Sequence, residues 1–181
     1  MTENDVKNIM KARILLSSER NLNHLLEQVL TCAMEVAHCD GGTLYLLEDD
    51  ALHFKIMHTK SLNTYSGGDG RDPDLPPVPL RKDHVCALSF LEDRSIRIAD
   101  VYTSKEADFS GPMRYDAITG YHTQSMLMVP MRNRDGEKLG VVQLINALDE
   151  DGNVTEFPEE MALVIEWVAS QSDISIQNVR Y

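Results

Sequence analysis

Cysteines and long apolar runs are scarce in this chain of 181 residues, and each shortage excludes a class of protein. The three cysteines, Cys32, Cys39 and Cys86, are an odd number without paired spacing, which argues against a disulfide framework and fits a reducing compartment. No run of about 18 or more apolar residues occurs, and the N-terminus MTENDVKNIMKARI alternates charged with aliphatic residues. We therefore expect a cytoplasmic protein without a membrane partner.

Positive charge is also in short supply. Lys and Arg together number 17 against 29 Asp and Glu, which gives a formal net charge of -12. A field of this sign repels nucleic acid and anionic membranes at long range. The charge therefore predicts no nucleic-acid partner, and an anionic small ligand would need local donors or a helix N-terminus.

Sequence motifs for catalysis or metal binding are missing as well. The six histidines form no ligand motif with a carboxylate or thiolate at helical spacing. The chain has no Ser-His-Asp order, no phosphate-binding loop and no paired-carboxylate motif. We therefore predict no metal site and no catalytic residue, and we interpret the chain as a domain that is not an enzyme.

Two apolar runs joined by a charged turn are the strongest structural signal. Met126 to Met131 and Leu139 to Ile145 are almost wholly apolar, and Asp135-Gly136 between them is a typical hairpin turn. Strands that are apolar on both faces are covered on both faces, so this hairpin should lie at the centre of a sheet. Pro130 predicts a bulge or an unpaired edge, and the amide of Gln143 should have a hydrogen-bond partner.

The remaining elements indicate one α+β domain, at residues 21–181, preceded by a linker or dimer helix at residues 1–20. Hydrophobic spacing and turn residues predict the following order: a charged helix with a thin apolar stripe from Asp5 to Leu16, a helix from Asn21 ended by Gly41-Gly42, strands Thr43–Leu47 and Ala51–Met57, a long loop Ser61–Pro79, a helix capped by Asp83, a strand Ser95–Ala99, an irregular segment Val101–Tyr121, the central hairpin, and a helix that starts at Pro158. The final helix has a second apolar side, with Leu163, Trp167 and Ile174, which predicts a homodimer.

Three stretches of the chain resemble GAF domains, the small-molecule sensor modules of cyclic-nucleotide phosphodiesterases, some adenylyl cyclases and many bacterial signalling proteins. They are DAITGYHT (Asp116–Thr123), the strand to Val129-Pro130, and LGVVQLIN (Leu139–Asn146). The sequences LEDRSIRIADVYTS and GVVQLINA are most similar to those of bacterial members that precede effector domains such as cyclic-di-nucleotide phosphodiesterases. The resemblance implies an antiparallel sheet of about six strands, with a ligand cleft on one face and the N- and C-terminal helices on the other. The segment Val101–Tyr121, called the cover below, would close the cleft.

Carried over by position, the resemblance implies a binding site of Thr43, Cys86, Asp116, Thr119, Thr123 and Gln143. In nucleotide-binding relatives such positions hold base, ribose and cyclic phosphate. The residues alone favour a site more weakly, since Thr119, Thr123 and Gln143 are polar groups beside apolar strands. They also allow a simpler interpretation, in which Thr119-Gly120 turns the chain, Gln143 satisfies a bulge at Pro130, and Asp116 caps a helix or turn at Thr119.

The resemblance implies a regulatory sensor domain of a signal-transduction protein, with no certain cofactor and a cyclic nucleotide as candidate ligand. Binding would be passed through the terminal helices to an effector domain or a partner signalling protein. The family's Asn-Lys, Phe, Asp-Glu signature is present only as Asn146 and Phe157, which leaves a ligand-free dimerisation or spacer module as an alternative. A third hypothesis is a cysteine-dependent free methionine sulfoxide reductase, for which Cys86 is the cysteine nearest the inferred site.

Overall fold

The computed structural model describes residues 22–68, 71–133 and 135–171. In chain order these residues form α1 (Leu22–Ala37), β1 (Cys39–Glu48), β2 (Ala51–Thr59), β3 (Thr64–Gly67), β4 (Val78–Pro79), α2 (Val85–Glu92), β5 (Ile96–Ile98), α3 (Ser110–Thr119), β6 (Met126–Arg132), β7 (Lys138–Leu148), β8 (Val154–Thr155) and α4 (Met161–Ser170). Helices and strands share one domain, which confirms the predicted α+β class.

The strands form one sheet in the order β3-β2-β1-β7-β6-β5, with β4 paired to β2 and β8 paired to β7. Every strand pair is antiparallel. The predicted antiparallel sheet of about six strands is therefore confirmed, and two strands of two residues each extend it. β1 and β7, which pair over much of their length, lie at its centre.

Side chains alternate between the two faces of the sheet, because successive residues of a strand point in opposite directions. Leu44 and Leu46 of β1 and Leu144 of β7 belong to a core shared with α1 and α4. Tyr45 and Val141 belong to a second core, with residues of α2 and the cover. The N- and C-terminal helices of the described chain thus cover one face, and the opposite face is the one expected to carry a cleft.

The predicted end of the helix from Asn21, which is α1 of the structure, was wrong. α1 ends at Ala37, followed by His38 with φ of 54°, and Gly41 and Gly42 lie inside β1. A Cβ atom on Gly41 would lie 2.8 Å from Cγ1 of Ile145, its partner on β7. Sequence periodicity cannot detect this contact, because it joins residues far apart in the chain. The glycines permit close packing across the sheet instead of capping the helix.

The central hairpin is confirmed. The Asn133 side chain organises its turn, since Oδ1 accepts hydrogen bonds from the backbone N–H groups of Asp135 (3.0 Å) and Glu137 (2.9 Å). β5 pairs with β6 only as far as Met128, so at Pro130 this edge of β6 has no partner strand among the described residues. That position tolerates a residue without an N–H group, as predicted.

Regular structure replaces parts of both segments that were predicted to be irregular. The loop after β2 contains β3 and β4, and the cover contains α3. Pro112 lies in the first turn of α3, where proline is tolerated because its missing N–H has no intrahelical partner. Two helix starts also differ: α2 begins at Val85 rather than beside Asp83, and α4 begins at Met161 rather than at Pro158.

The predicted helix Asp5–Leu16 and the far part of the final helix, with Ile174, lie outside the described residues. Within the described part of α4, Leu163 is 70% exposed and Trp167 is 36% exposed. None of the helices that the structure describes is long and apolar enough to cross a membrane.

Candidate functional site

A cavity of about 400 Å³ lies on the sheet face opposite α1 and α4. Its floor comes from β1, β2, β6 and β7, where residues two apart on one strand share a face. Its walls come from residues 75–79, the start of α2, and α3. Most of the lining is apolar or aromatic, and the floor residues are Thr43, Tyr45, Phe54, Met57, Thr59, Met126, Gln143 and Ile145.

The polar centre of the floor is the pair Thr43 and Gln143, which face each other across β1 and β7. Gln143 is half-buried although its neighbours Val142 and Leu144 are fully buried, because it borders the cavity. The Tyr45 hydroxyl donates a hydrogen bond to Gln143 Oε1 at 3.3 Å. The predicted partner of the Gln143 amide is therefore a neighbouring tyrosine.

A second polar group of the lining joins the floor to the cover. Thr59 Oγ1 on β2 and the Tyr115 hydroxyl on α3 lie 3.3 Å apart in a hydrogen bond. Arg114 and Ile118, also on α3, line the cavity and are exposed, as is Leu75 on the facing wall. The mouth of the cavity thus combines apolar side chains with the Arg114 guanidinium group of α3.

The mouth also carries an acidic group, Asp108. Hydrogen bonds from the hydroxyl and backbone N–H of Ser110 hold the pKa of Asp108 below its usual value, and His84 and Arg114 nearby act in the same direction. The rim is therefore of mixed charge.

Asp116 joins α3 to the segment between the cover and β6. It is buried, and its carboxylate accepts hydrogen bonds from the Thr123 backbone N–H (2.8 Å), from the Thr123 hydroxyl (2.8 Å) and from the Tyr102 hydroxyl. Burial of a carboxylate is tolerated when its oxygens are hydrogen-bonded in this way. Because Thr123 donates its hydroxyl hydrogen to Asp116, the Thr123 oxygen at the cavity keeps free acceptor capacity.

The structure brings four of the six predicted site residues together. Thr43, Cys86, Thr123 and Gln143 line the cavity, whereas Asp116 and Thr119 are outside its lining. The exposed Thr119 hydroxyl donates to the Tyr115 carbonyl at 2.8 Å and accepts from the Tyr121 N–H at 3.2 Å.

Sequence reasoning missed most of the lining, including the polar residues Tyr45, Thr59, Arg114 and Tyr115. Tyr45 could have been found, because it lies two residues after Thr43 on the same strand. Thr59 lies beyond the predicted end of β2. Arg114 and Tyr115 belong to a helix that has no hydrophobic periodicity, so no local signal pointed them toward the cavity.

The three cysteines are buried and carry protonated thiols at neutral pH. Burial raises the pKa of Cys32 and of Cys86 to about 11, and that of Cys39 to about 12. A thiolate is the reactive form of cysteine, so these environments suppress nucleophilic chemistry. In the part of the chain that the structure describes, no group of three or more His, Cys, Asp or Glu side chains could hold a metal ion.

Known proteins share both this sequence pattern and this fold. The sequence model of the GAF domain matches residues 21–176. The dual 3',5'-cyclic-AMP and -GMP phosphodiesterase 11A of Takifugu rubripes is 37% identical over 149 residues, which cover 81% of this chain and 16% of that protein. This chain therefore spans only a small part of the length of that relative.

Two solved structures share the fold at low sequence identity. The GAF domain of an Acinetobacter phosphoenolpyruvate-protein phosphotransferase has a TM-score of 0.64 at 14% identity, over 94% of this chain and 91% of that one. The free methionine-R-sulfoxide reductase of Neisseria meningitidis has a TM-score of 0.59 at 14% identity, over 95% of this chain and 93% of that one. Because the GAF sequence model matches most of its length, this chain belongs to the GAF domain family of regulatory small-molecule sensors.

Proposed function

We propose that this chain is the regulatory sensor domain of a cytoplasmic signal-transduction protein, and that it binds a cyclic nucleotide in the cavity on the sheet. The observation that carries the proposal is the cavity itself. Its volume of about 400 Å³ and its apolar lining with a few convergent polar groups are typical of small-molecule sites.

The distribution of groups around the cavity supports a ligand with an aromatic base and an anionic part. Phe54, Met57 and Ile145 offer flat and flexible apolar surface for a base. Thr43 and Gln143 on the floor offer hydrogen bonds to its edge. Arg114 at the mouth supplies the guanidinium group that suits phosphate recognition, and it locally opposes the net charge of -12.

The curated relative adds support of a different kind. By its name it is a phosphodiesterase of cyclic AMP and cyclic GMP, and the matched part is 37% identical to this chain. We extend to this chain only the class of ligand, a cyclic purine nucleotide.

We propose that the bound ligand acts on α1 and α4 through the central strands. Thr43 faces the cavity while the next residue, Leu44, packs in the core that contains α1, and Gln143 and Leu144 repeat this arrangement on β7. A shift of β1 or β7 on ligand binding would therefore change helix packing on the far face. The exposed Leu163 and Trp167 of α4 support a homodimer that passes the change to an effector domain or a partner protein.

A reductase is the enzymatic alternative, since the Neisseria enzyme shares the fold. The raised pKa values of Cys32, Cys39 and Cys86 support the regulatory assignment instead, because each thiol stays protonated at neutral pH.

The decisive experiment is a calorimetric titration of the protein with cyclic AMP and with cyclic GMP, paired with thermal unfolding. A ligand at 100 times its dissociation constant should stabilise the native state by about 2.7 kcal/mol. Arg114→Ala should weaken binding about tenfold, because it removes a charge-assisted contact. Lys105→Ala is the matched control, since Lys105 is an exposed cation of the cover that does not line the cavity. Absence of heat and of stabilisation with both nucleotides at millimolar concentration would refute the proposal.

A further inference from the structure

Only the oxygen of the Gln143 side-chain amide has a hydrogen-bond partner among the described residues. Its Oε1 accepts the hydrogen bond from the Tyr45 hydroxyl at 3.3 Å. Its Nε2 has no acceptor among the residues that the structure describes, and it is not one of the polar atoms shut away from solvent there. Because Gln143 lines the cavity, this N–H₂ group is exposed to whatever the cavity holds.

The Tyr45 hydroxyl also interacts with the Cys86 thiol, and burial raises the pKa of that thiol to about 11. The sulfur therefore keeps its hydrogen at neutral pH. A thiol can donate to the tyrosine oxygen, which leaves the tyrosine hydrogen for Gln143 Oε1.

Packing holds Tyr45 in place. The side chain is buried, with 5% of its surface exposed, and its ring contacts the Phe54 ring at a centroid distance of 4.7 Å. A burial of this extent also raises the pKa of Tyr45 well above its usual value, so the phenol stays protonated. Tyr45 and Gln143 lie on adjacent strands on the same face, so the register of β1 against β7 fixes their contact.

We propose that Tyr45 is a positioning residue that locks the Gln143 amide, so that the cavity floor offers an N–H donor and selects ligands that present a hydrogen-bond acceptor. An amide without such a partner could turn over and offer its oxygen instead. The choice of ligand class rests on the proposed function, whereas the orientation of the amide does not.

Cyclic AMP and cyclic IMP form a matched pair of probes for this lock. On the edge of the base that carries position 6, adenine offers an acceptor at N1 and a donor at the amino group, and hypoxanthine offers the reverse. A Gln143 N–H donor in a fixed orientation can pair with an acceptor of the base but not with a donor, so at a given contact it fits only one of the two bases. We therefore expect the parent protein to prefer one of the two nucleotides by roughly tenfold, the effect of one unpaired buried polar group.

Three variants then separate the roles of the residues. Tyr45→Phe removes the hydroxyl and frees the Gln143 amide, while the apolar contacts of the ring are kept. The ratio of the two nucleotide affinities should therefore fall toward one. Gln143→Glu replaces the donor by an acceptor, so the preference should reverse. Tyr65→Phe makes the same chemical change at an exposed tyrosine whose hydroxyl bonds Glu27, outside the cavity, and should leave the preference unchanged. Circular dichroism of each variant checks that it is folded.

Equal affinity of the parent for the two nucleotides would overturn the selection, and so would a Tyr45→Phe variant that keeps the full preference. Neutron diffraction of the ligand-free protein tests the orientation by itself. It should show two deuterons on the Gln143 atom that faces the cavity and the Tyr45 deuteron directed at the other atom; the reverse assignment would overturn the proposal. A locked amide in a protein that binds neither nucleotide would uphold the orientation and reject the nucleotide ligand.

Discussion

Asn146 joins the end of the cover to the central strand, and its replacement by alanine should be costly. Its Oδ1 accepts hydrogen bonds from the backbone N–H groups of Gln124 (2.7 Å) and Ser125 (3.2 Å). Its Nδ2 donates to the Tyr121 hydroxyl (2.9 Å) and to the His122 carbonyl (2.8 Å). Its backbone has φ of 56°, a left-handed conformation that asparagine tolerates better than alanine.

Two terms set the size of the effect. Ser125 is buried, so the loss of its acceptor leaves an N–H group unsatisfied, which costs about 1–3 kcal/mol. Alanine in the left-handed region costs about a further 1–2 kcal/mol. We expect Asn146→Ala to lower the free energy of unfolding by about 2–5 kcal/mol, a large part of the roughly 5–15 kcal/mol of a typical domain.

Urea unfolding followed by far-ultraviolet circular dichroism measures this difference. At a slope of about 2 kcal/mol per M, the midpoint should move down by roughly 1–2.5 M. Asn146→Gly loses the same hydrogen bonds without the backbone strain, so it should be about 1 kcal/mol less destabilising. Asn153→Ala is the matched control, because Asn153 is exposed and its side chain makes no hydrogen bond within the described residues; its effect should stay within about 0.5 kcal/mol. A loss below about 1 kcal/mol for Asn146→Ala would refute the reasoning.

Three further predictions concern packing and titration. Gly140→Ala should cost about 3 kcal/mol or more in thermal unfolding, because its Cβ would lie 1.9 Å from the Tyr45 carbonyl oxygen. Gly111→Ala should cost clearly less, because its Cβ would meet no atom within 4 Å beyond its chain neighbours and only the clash with the ring of Pro112 opposes it; equal effects would contradict this. Alkylation of the three cysteines at pH 7.5 should be slow in the native protein and fast in urea, and mass spectrometry that finds rapid native labelling would contradict their raised pKa values. The free energy of unfolding should fall between pH 9 and pH 11. Thiols in the unfolded chain ionise near the ordinary cysteine pKa of 9.0, while the thiols of the folded protein stay protonated. Urea unfolding at pH 8 and at pH 10 measures the loss.

The elements that could be predicted are those whose signal is local. The apolar runs of β6 and β7 and the Asp135-Gly136 turn between them describe a hairpin on their own. The spacing of buried residues in α1 likewise describes a helix packed along one side. Thr43 and Gln143 were placed at the site by the resemblance to GAF domains, and both line the cavity.

The elements that could not be predicted depend on contacts between distant residues. α3 has no hydrophobic stripe, and only Asp116 among its residues is buried. It is held instead by hydrogen bonds to other parts of the chain, which join Asp116 with Thr123 and Tyr115 with Thr59. The helix propensity of a local sequence does not report such hydrogen bonds, so the segment Val101–Tyr121 was interpreted as irregular.

By itself, the sequence determined the α+β class and the central hairpin, because side-chain periodicity follows directly from the geometry of helices and strands. Only the tertiary structure decided how the cavity is closed and which chemical group it offers. The register of β1 against β7 brings Tyr45 to Gln143, and the packing of α2 brings Cys86 to Tyr45. Those partners are far apart in the chain, and a hydrogen bond between them exists only once the sheet has formed.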